Sequence, residues 1–248
     1  MIKTKSEIKK IERACQVTDE TFDHILKKIK VGISERQVSL EIQRFIKKFG
    51  AKLSFRPIIA FGKNSANPHH KPNNTILKNG DFIKLDFGAK VDDYCSDMTR
   101  TVFMGKASRR QKKIYQTVLA AQKKAINYLE WSHSEQSEES RMSARSLGLR
   151  PQDNIRGKDV DKAARDYVIS KGYPSFPHGL GHGIGKKVHQ KPKLSPKSKH
   201  FLKPGMVFSV EPGIYLRSFG GVRIEDTVVL EKTGLRILTK STKRIIEL

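Results

Sequence analysis

Four carboxylates in this chain stand where an ionised side chain is hardest to place. Asp86 lies inside the apolar run Phe82-Ile-Lys-Leu-Asp86-Phe87, and Asp97 follows within Cys95-Ser-Asp97-Met-Thr-Arg-Thr-Val-Phe103. Much later, Glu211 ends Val207-Phe-Ser-Val-Glu211, and Glu225 is embedded in Val222-Arg-Ile-Glu225-Asp-Thr-Val-Val-Leu230. The runs read as strands, 81–87 with 95–103 and 206–211 with 222–230, and Lys90–Asp93 would join the first pair as a hairpin. An unpaired charge in such a strand is costly to desolvate. Two explanations remain: ion pairs with the many lysines, or a hard divalent cation, for which carboxylate oxygens are natural ligands.

Between the two acid pairs lies His178-Gly-Leu-Gly-His182-Gly-Ile-Gly185, with His189 shortly after. The glycines do not form a nucleotide loop. There is no Walker-type GK[ST], and position 184 is Ile where G-x-G-x-x-G would continue with glycine. Glycine at alternate positions instead lets the backbone turn closely around histidines. Neither HExxH nor G-x-S-x-G occurs, which removes the helical zinc proteases and the serine hydrolases with a nucleophile elbow.

Helices account for most of the rest. Residues 5–30 carry apolar side chains at three- and four-residue steps. A second helix begins after Ser34, where Ser34-x-x-Gln37 forms a capping box, and stops at Gly50. Further helices are expected near 108–130 and 157–171, the latter ending at Gly172. Val38, Phe45, Ile46 and Gly50 recur as Val160, Tyr167, Val168 and Gly172, each 122 positions on. Helix, helix, hairpin therefore occurs twice, which predicts one domain over 1–248 built of two related α+β halves with a site between them. Ser132–Asp153 lacks apolar periodicity and is expected to be a surface insertion.

Composition sets the remaining bounds. The 248 residues carry 49 Lys plus Arg against 25 Asp plus Glu, a formal net charge of +24. That charge suits contact with nucleic acid or the ribosome. It equally suits a lysine-rich solvated surface, and the scattering of the lysines in pairs favours the second. No apolar run approaches the roughly 20 residues of a membrane helix. Without a secretion signal, the cytoplasm is the expected compartment. Cys15 and Cys95 are expected to be reduced.

Taken in order, LDFGAxxxDYCSDMTRT, HGLGHGIGxxVH and PGMVFSVEPGIY…GGVRIEDTVVL resemble the metallopeptidase family that holds methionine aminopeptidase, Xaa-Pro aminopeptidase and proline dipeptidase, the pita-bread fold. The resemblance covers nearly the whole chain apart from 132–153. It implies a metal pair held by Asp86, Asp97, His182, Glu211 and Glu225, with Asp97 and Glu225 bridging. Two cations roughly 3.5–4 Å apart would activate a shared water or hydroxide. Glu211 would also act as general base, and His69, His178 and His189 would position the peptide and stabilise the oxyanion. His69 rather than His70 fits the motif. His24, His133 and His200 match none and are read as surface residues. Carboxylate-rich ligation suits manganese first, then cobalt, iron or zinc.

Arg223-Ile-Glu225-Asp226-Thr227, Glu-Pro-Gly-Ile-Tyr215 and His178 ahead of His182 resemble the Xaa-Pro and proline-dipeptidase branch. The resemblance places Arg223 and Tyr215 behind the ligands. The implied substrates are peptides with a free N-terminus and proline second. Removal of N-terminal methionine from nascent chains is the alternative within the family. A non-catalytic pita-bread protein that binds nucleic acid or protein is the alternative outside it. The larger Xaa-Pro enzymes carry an additional N-terminal domain, which is not expected in this sequence. Asp93 stands where the family usually has glycine.

Overall fold

The computed structural model describes residues 1–134 and 155–248. Its first half opens with α1 (Lys5–Leu26) and α2 (Glu35–Lys48). Both start on reciprocal caps. Thr4 Oγ1 accepts from Glu7 N at 3.2 Å while the Glu7 carboxylate accepts from Thr4 N at 2.9 Å, and Ser34 and Gln37 repeat the exchange at 3.2 and 2.8 Å. α1 ends four residues earlier than its apolar periodicity predicts. The amides of Lys27 and Lys28 bond back to His24 and Ile25, tightening the last turn, and Ile29 stays buried without being helical.

Three antiparallel strands, β2 (Ile58–Phe61), β3 (Phe82–Phe87) and β6 (Met98–Phe103), pack against these helices in the order β2-β3-β6. A small side sheet of β1 (Lys52–Leu53), β4 (Ala89–Val91) and β5 (Tyr94–Cys95) occupies the region expected to be a bare hairpin turn. Its turn residues Asp92 and Asp93 have φ of 46° and 67°. This is the left-handed pair that a two-residue hairpin requires, and aspartate tolerates it better than most side chains.

The second half repeats the plan with α3 (Arg109–Ser134) and α4 (Gly157–Ser170). α2 and α4 begin and end at positions related by the offset seen in the sequence. Each is followed by a glycine at positive φ, 67° at Gly50 and 79° at Gly172, which ends the helix. The five-stranded sheet runs β8 (Gln190–Leu194), β7 (Gly181–Gly183), β9 (Val207–Val210), β12 (Asp226–Glu231), β13 (Gly234–Ile237). Its β7-β9-β12 centre is the counterpart of β2-β3-β6. β10 (Gly213–Leu216) and β11 (Gly220–Arg223) form a separate ribbon. This is the expected pita-bread architecture of two pseudo-symmetric α+β halves.

The apolar core has two main parts, one around Phe22, Ile42, Ile83 and Val102, the other around Ile114, Val118, Val160 and Phe208, to which the first half adds Phe82 and Phe103. A third, smaller cluster of Ile11, Cys15, Tyr94, Ile184, Val207 and Val229 draws on both halves and sits at the seam. Cys15 and Cys95 are free and buried.

Two expectations are corrected. Residues 95–103 and 222–230 are not single strands. Ser96-Asp97 separates β5 from β6, and Ile224-Glu225 separates β11 from β12. In both halves the second acid occupies the break, where its carboxylate can leave the pleat and turn toward the opposite half. Of the segment 132–153, residues 132–134 continue α3 and the remainder lies outside the described residues. Among the described residues no helix is long and apolar enough to cross a membrane.

Candidate metal centre

The sheets of the two halves face each other across a cavity of about 240 Å³. Asp86, Asp97, His182, Glu211 and Glu225 line it, together with His69, His178, His189 and Arg223. Asp86 comes from β3, Asp97 from the β5–β6 break, His182 from β7, Glu211 from the end of β9 and Glu225 from the β11–β12 break. One ligand atom each from Asp86, Asp97 and Glu225 lies within 4.8 Å of the others, and the same holds for His182, Glu211 and Glu225 and for Asp97, His182 and His189. Glu225 thus belongs to both an all-carboxylate and a histidine-containing group, as does Asp97.

The strand geometry that admits His182 depends on close backbone approach. A Cβ on Gly181 would fall 1.9 Å from the Ser209 carbonyl oxygen of neighbouring β9. That contact lets β7 lie flush against β9, so that His182 N donates to Ser209 Oγ (3.1 Å) and Ser209 Oγ donates to Glu211 Oε1 (3.1 Å). His182 Nε2 then stands 3.3 Å from Glu211 Oε1 and 3.6 Å from Asp97 Oδ2.

The carboxylates are crowded and largely buried. Burial, then the charges of Glu225, Asp86 and Glu211, push the Asp97 carboxyl well above the usual range. Burial with Glu211 and Asp86 does the same to Glu225. Asp86 is raised by burial, although the Arg223 guanidinium opposes this. Glu211 goes the other way. Burial alone would raise it, but the hydrogen bond and charge of His182, with His178 and Arg223, hold it down to about 2. Asp97 Oδ1 and Glu225 Oε1 are buried and receive no hydrogen bond among the described residues. Buried oxygens are seldom left in this state. Undonated oxygens, mutual repulsion and a mixed carboxylate–histidine donor set are what a site for hard or borderline divalent cations requires, so the residues fit such ions.

Behind the acids a polar chain fixes their orientation. Arg223 pairs with Asp86, and its Nη1 donates to Tyr215 OH (3.0 Å) and Pro68 O (3.2 Å) while Nε donates to Thr99 Oγ1 (3.0 Å). Thr99 Oγ1 in turn donates to Glu225 Oε2 at 2.6 Å. Thr227 Oγ1 donates to Asp97 O at 2.7 Å. Such partners set the aim and basicity of ligands. Thr99 was missed by the sequence reading; it stands directly opposite Asp86 in the β3–β6 pairing, a register that no motif signals.

The histidines divide by role. His178 Nδ1 bonds Gly179 O at 2.8 Å, and a carbonyl only accepts, so Nδ1 carries the proton. Its Nε2 therefore accepts from Tyr215 OH at 2.8 Å. Burial lowers its pKa to about 4, keeping it neutral. With both nitrogens engaged, His178 has no N–H left for an oxyanion, and His69 and His189 remain to face the cavity. The His189 ring stands edge-on to His182 at 4.4 Å between centroids. His70 turns away to Glu35 Oε2 at 2.7 Å.

Two other histidines differ from the surface assignment. His24 stacks on Phe45 at 3.9 Å and pairs with Glu41, and His200 is half-buried with Nδ1 accepting from Lys193 N at 3.2 Å. The side chain of His133 lies outside the described residues. Phe55, Ile58, Lys193 and Ser195 complete the cavity wall and were not signalled by any motif.

With this geometry in view, comparison with known proteins identifies the lineage. The profile of metallopeptidase family M24 matches residues 9–232. The chain belongs to metallopeptidase family M24. It is 40% identical over 248 residues to the uncharacterized peptidase YqhT of Bacillus subtilis, covering 99% of this chain and 64% of that protein. It is 38% identical to the Xaa-Pro dipeptidase of Pyrococcus horikoshii with the same coverage. Among solved structures, the Xaa-Pro dipeptidase from Bacillus anthracis superposes with a TM-score of 0.89 at 41% identity, covering 100% of this chain and 64% of that one. The X-Pro aminopeptidase from Thermotoga maritima gives 0.88 at 34% identity, with 100% and 65% covered. This M24 chain thus spans a little under two thirds of the length of the curated relatives it matches.

Proposed function

We propose that this M24 chain is a metal-dependent peptidase that removes an N-terminal residue preceding proline, using a pair of divalent cations held by Asp86, Asp97, His182, Glu211 and Glu225. The observation that carries this reading is the pair of buried, undonated oxygens on Asp97 and Glu225, the two acids common to the carboxylate and histidine groups. Manganese is the first candidate metal, and cobalt, iron and zinc share the required ligand preferences. Bound cations would supply Lewis acidity toward the scissile carbonyl and lower the pKa of a water.

The chain's own groups do the rest. Glu211, ionised and in contact with His182, is placed to take a proton from the attacking water and return it to the leaving amine. His69 and His189 offer ring nitrogens from the cavity wall to the peptide carbonyl as charge develops on its oxygen. The chain Asp86–Arg223–Tyr215–His178 braces the acids and needs no proton movement of its own.

The Xaa-Pro preference rests on Arg223-Ile-Glu225-Asp226 and on relatives named Xaa-Pro dipeptidase and X-Pro aminopeptidase. Metal-stripped protein re-supplied with each ion should hydrolyse Ala-Pro-type peptides faster than Met-Gly or Met-Ala types. Faster turnover of the methionyl set would move the chain to the methionine aminopeptidase branch.

A further inference from the structure

Lys84 is a completely buried lysine on β3, two residues before Asp86 and so on the same face of the strand. Its ammonium makes no ion pair among the described residues. It donates instead to two main-chain carbonyls, Ser65 O at 3.1 Å and Asn67 O at 2.6 Å, and lies 5.3 Å from the centroid of the Tyr215 ring. Burying an ammonium without a carboxylate in ion-pair contact is expensive, and an apolar side chain of similar length would fill the space without that cost.

What the lysine holds is the segment that leads into the cavity. Ser65 belongs to the 3-10 turn Gly62–Ala66, and Asn67 is followed by Pro68, whose carbonyl receives Arg223, and by His69 in the cavity wall. The same segment is held from the other side by Glu35, fully buried on α2, which accepts from Phe61 N (2.9 Å), Asn64 Nδ2 (2.8 Å), His70 Nε2 (2.7 Å) and Asn73 N (3.0 Å). A buried cation and a buried anion thus grip one loop through its polar groups, with His69 between the two grips.

We propose that Lys84 is a positioning residue, which fixes the 62–69 segment and thereby where His69 meets the substrate. This rests on the peptidase reading for its kinetic consequence, though not for its structural one. The test replaces Lys84→Met in the full chain and reads two quantities. Amide hydrogen exchange over 62–69 should quicken by about tenfold or more while α4 keeps its protection, since local opening is graded across a structure. Turnover of an Ala-Pro peptide by the metal-loaded protein should fall about 10- to 100-fold, mainly in kcat.

In a His69→Ala background the same substitution should cost no more than about threefold, because residues that act through one another are not additive. Lys84→Gln, which keeps one donor for the turn, should be intermediate and carries the same readouts if Lys84→Met does not fold. Unchanged exchange over 62–69, or an undiminished loss in the His69→Ala background, overturns the proposal. Inactivity of the unsubstituted protein would instead sink the peptidase reading and leave the exchange measurement to decide the tether.

Discussion

Asp97 and Glu225, on opposite halves of the molecule, bring carboxylate oxygens within 4.8 Å of each other, and each has an oxygen that no donor among the described residues reaches. Burial and the charges of neighbouring carboxylates raise both carboxyls well above the ordinary range. The metal-free folded state therefore retains protons that the unfolded chain, with carboxyls near 4, gives up. A raised folded pKa contributes stability below the unfolded value and loses it as pH rises through the folded one. Neutral His178, held down at about 4, opposes this trend below the ordinary histidine range. The melting temperature of chelator-treated protein should therefore fall from pH 7 to pH 8, and the increment from added manganese should grow from pH 5 to pH 8. Scanning calorimetry with and without metal checks this; a metal increment larger at pH 5 than at pH 8 would contradict it.

Glu211→Gln keeps the shape and removes the base. Hydrolysis of Ala-Pro peptides should drop by about 10²- to 10⁴-fold, the usual worth of a placed general base. Near-normal turnover would show that Glu211 moves no proton.

Arg223→Met leaves Asp86 buried beside Glu225 and Asp97 without its guanidinium. Removing one partner of a buried pair costs about 3–5 kcal/mol. Urea unfolding of the metal-free protein measures it, and a loss under about 1 kcal/mol would mean that Asp86 is neutral or solvated there.

Gly181→Ala puts a methyl against the Ser209 carbonyl, 1.9 Å from where its carbon must go. β7 has to lift from β9, at an overpacking cost of about 1–3 kcal/mol. His182 moves with it, so metal affinity by calorimetric titration should weaken about tenfold or more, as for displaced ligand supports. Unaltered affinity would show that His182 is positioned independently of the strand contact.

The sequence was most legible where one residue type answers to one physical need. Ser34 and Gln37 cap α2 as their spacing requires, and the offset from Val38 to Val160 marks helices with matching ends. The acids stood out because they interrupt apolar runs. The breaks at Ser96-Asp97 and Ile224-Glu225 were not legible, since each lies inside a run rich in apolar and β-branched residues with no glycine or proline to mark it, and only pairing with different neighbours divides the strands. His24 could not be told from a surface histidine, because the Phe45 ring that covers it lies on another helix. Lys84 was hidden for the same reason: a lysine in a strand reads as exposed until the 3-10 turn that receives it is in place.

The cavity draws acids from β3 and the β5–β6 break in one half, and a histidine and two acids from β7, the end of β9 and the β11–β12 break in the other. If these five residues hold the metal pair proposed above, the first two ligands leave the ribosome long before the last three. A cation met early finds only Asp86 and Asp97, an open dicarboxylate that any abundant divalent ion can visit and leave. Choice among metals is therefore deferred until Glu225 has emerged and the second half has docked. On the proposed site, the ion selected would be the one present around the finished protein rather than around the nascent chain.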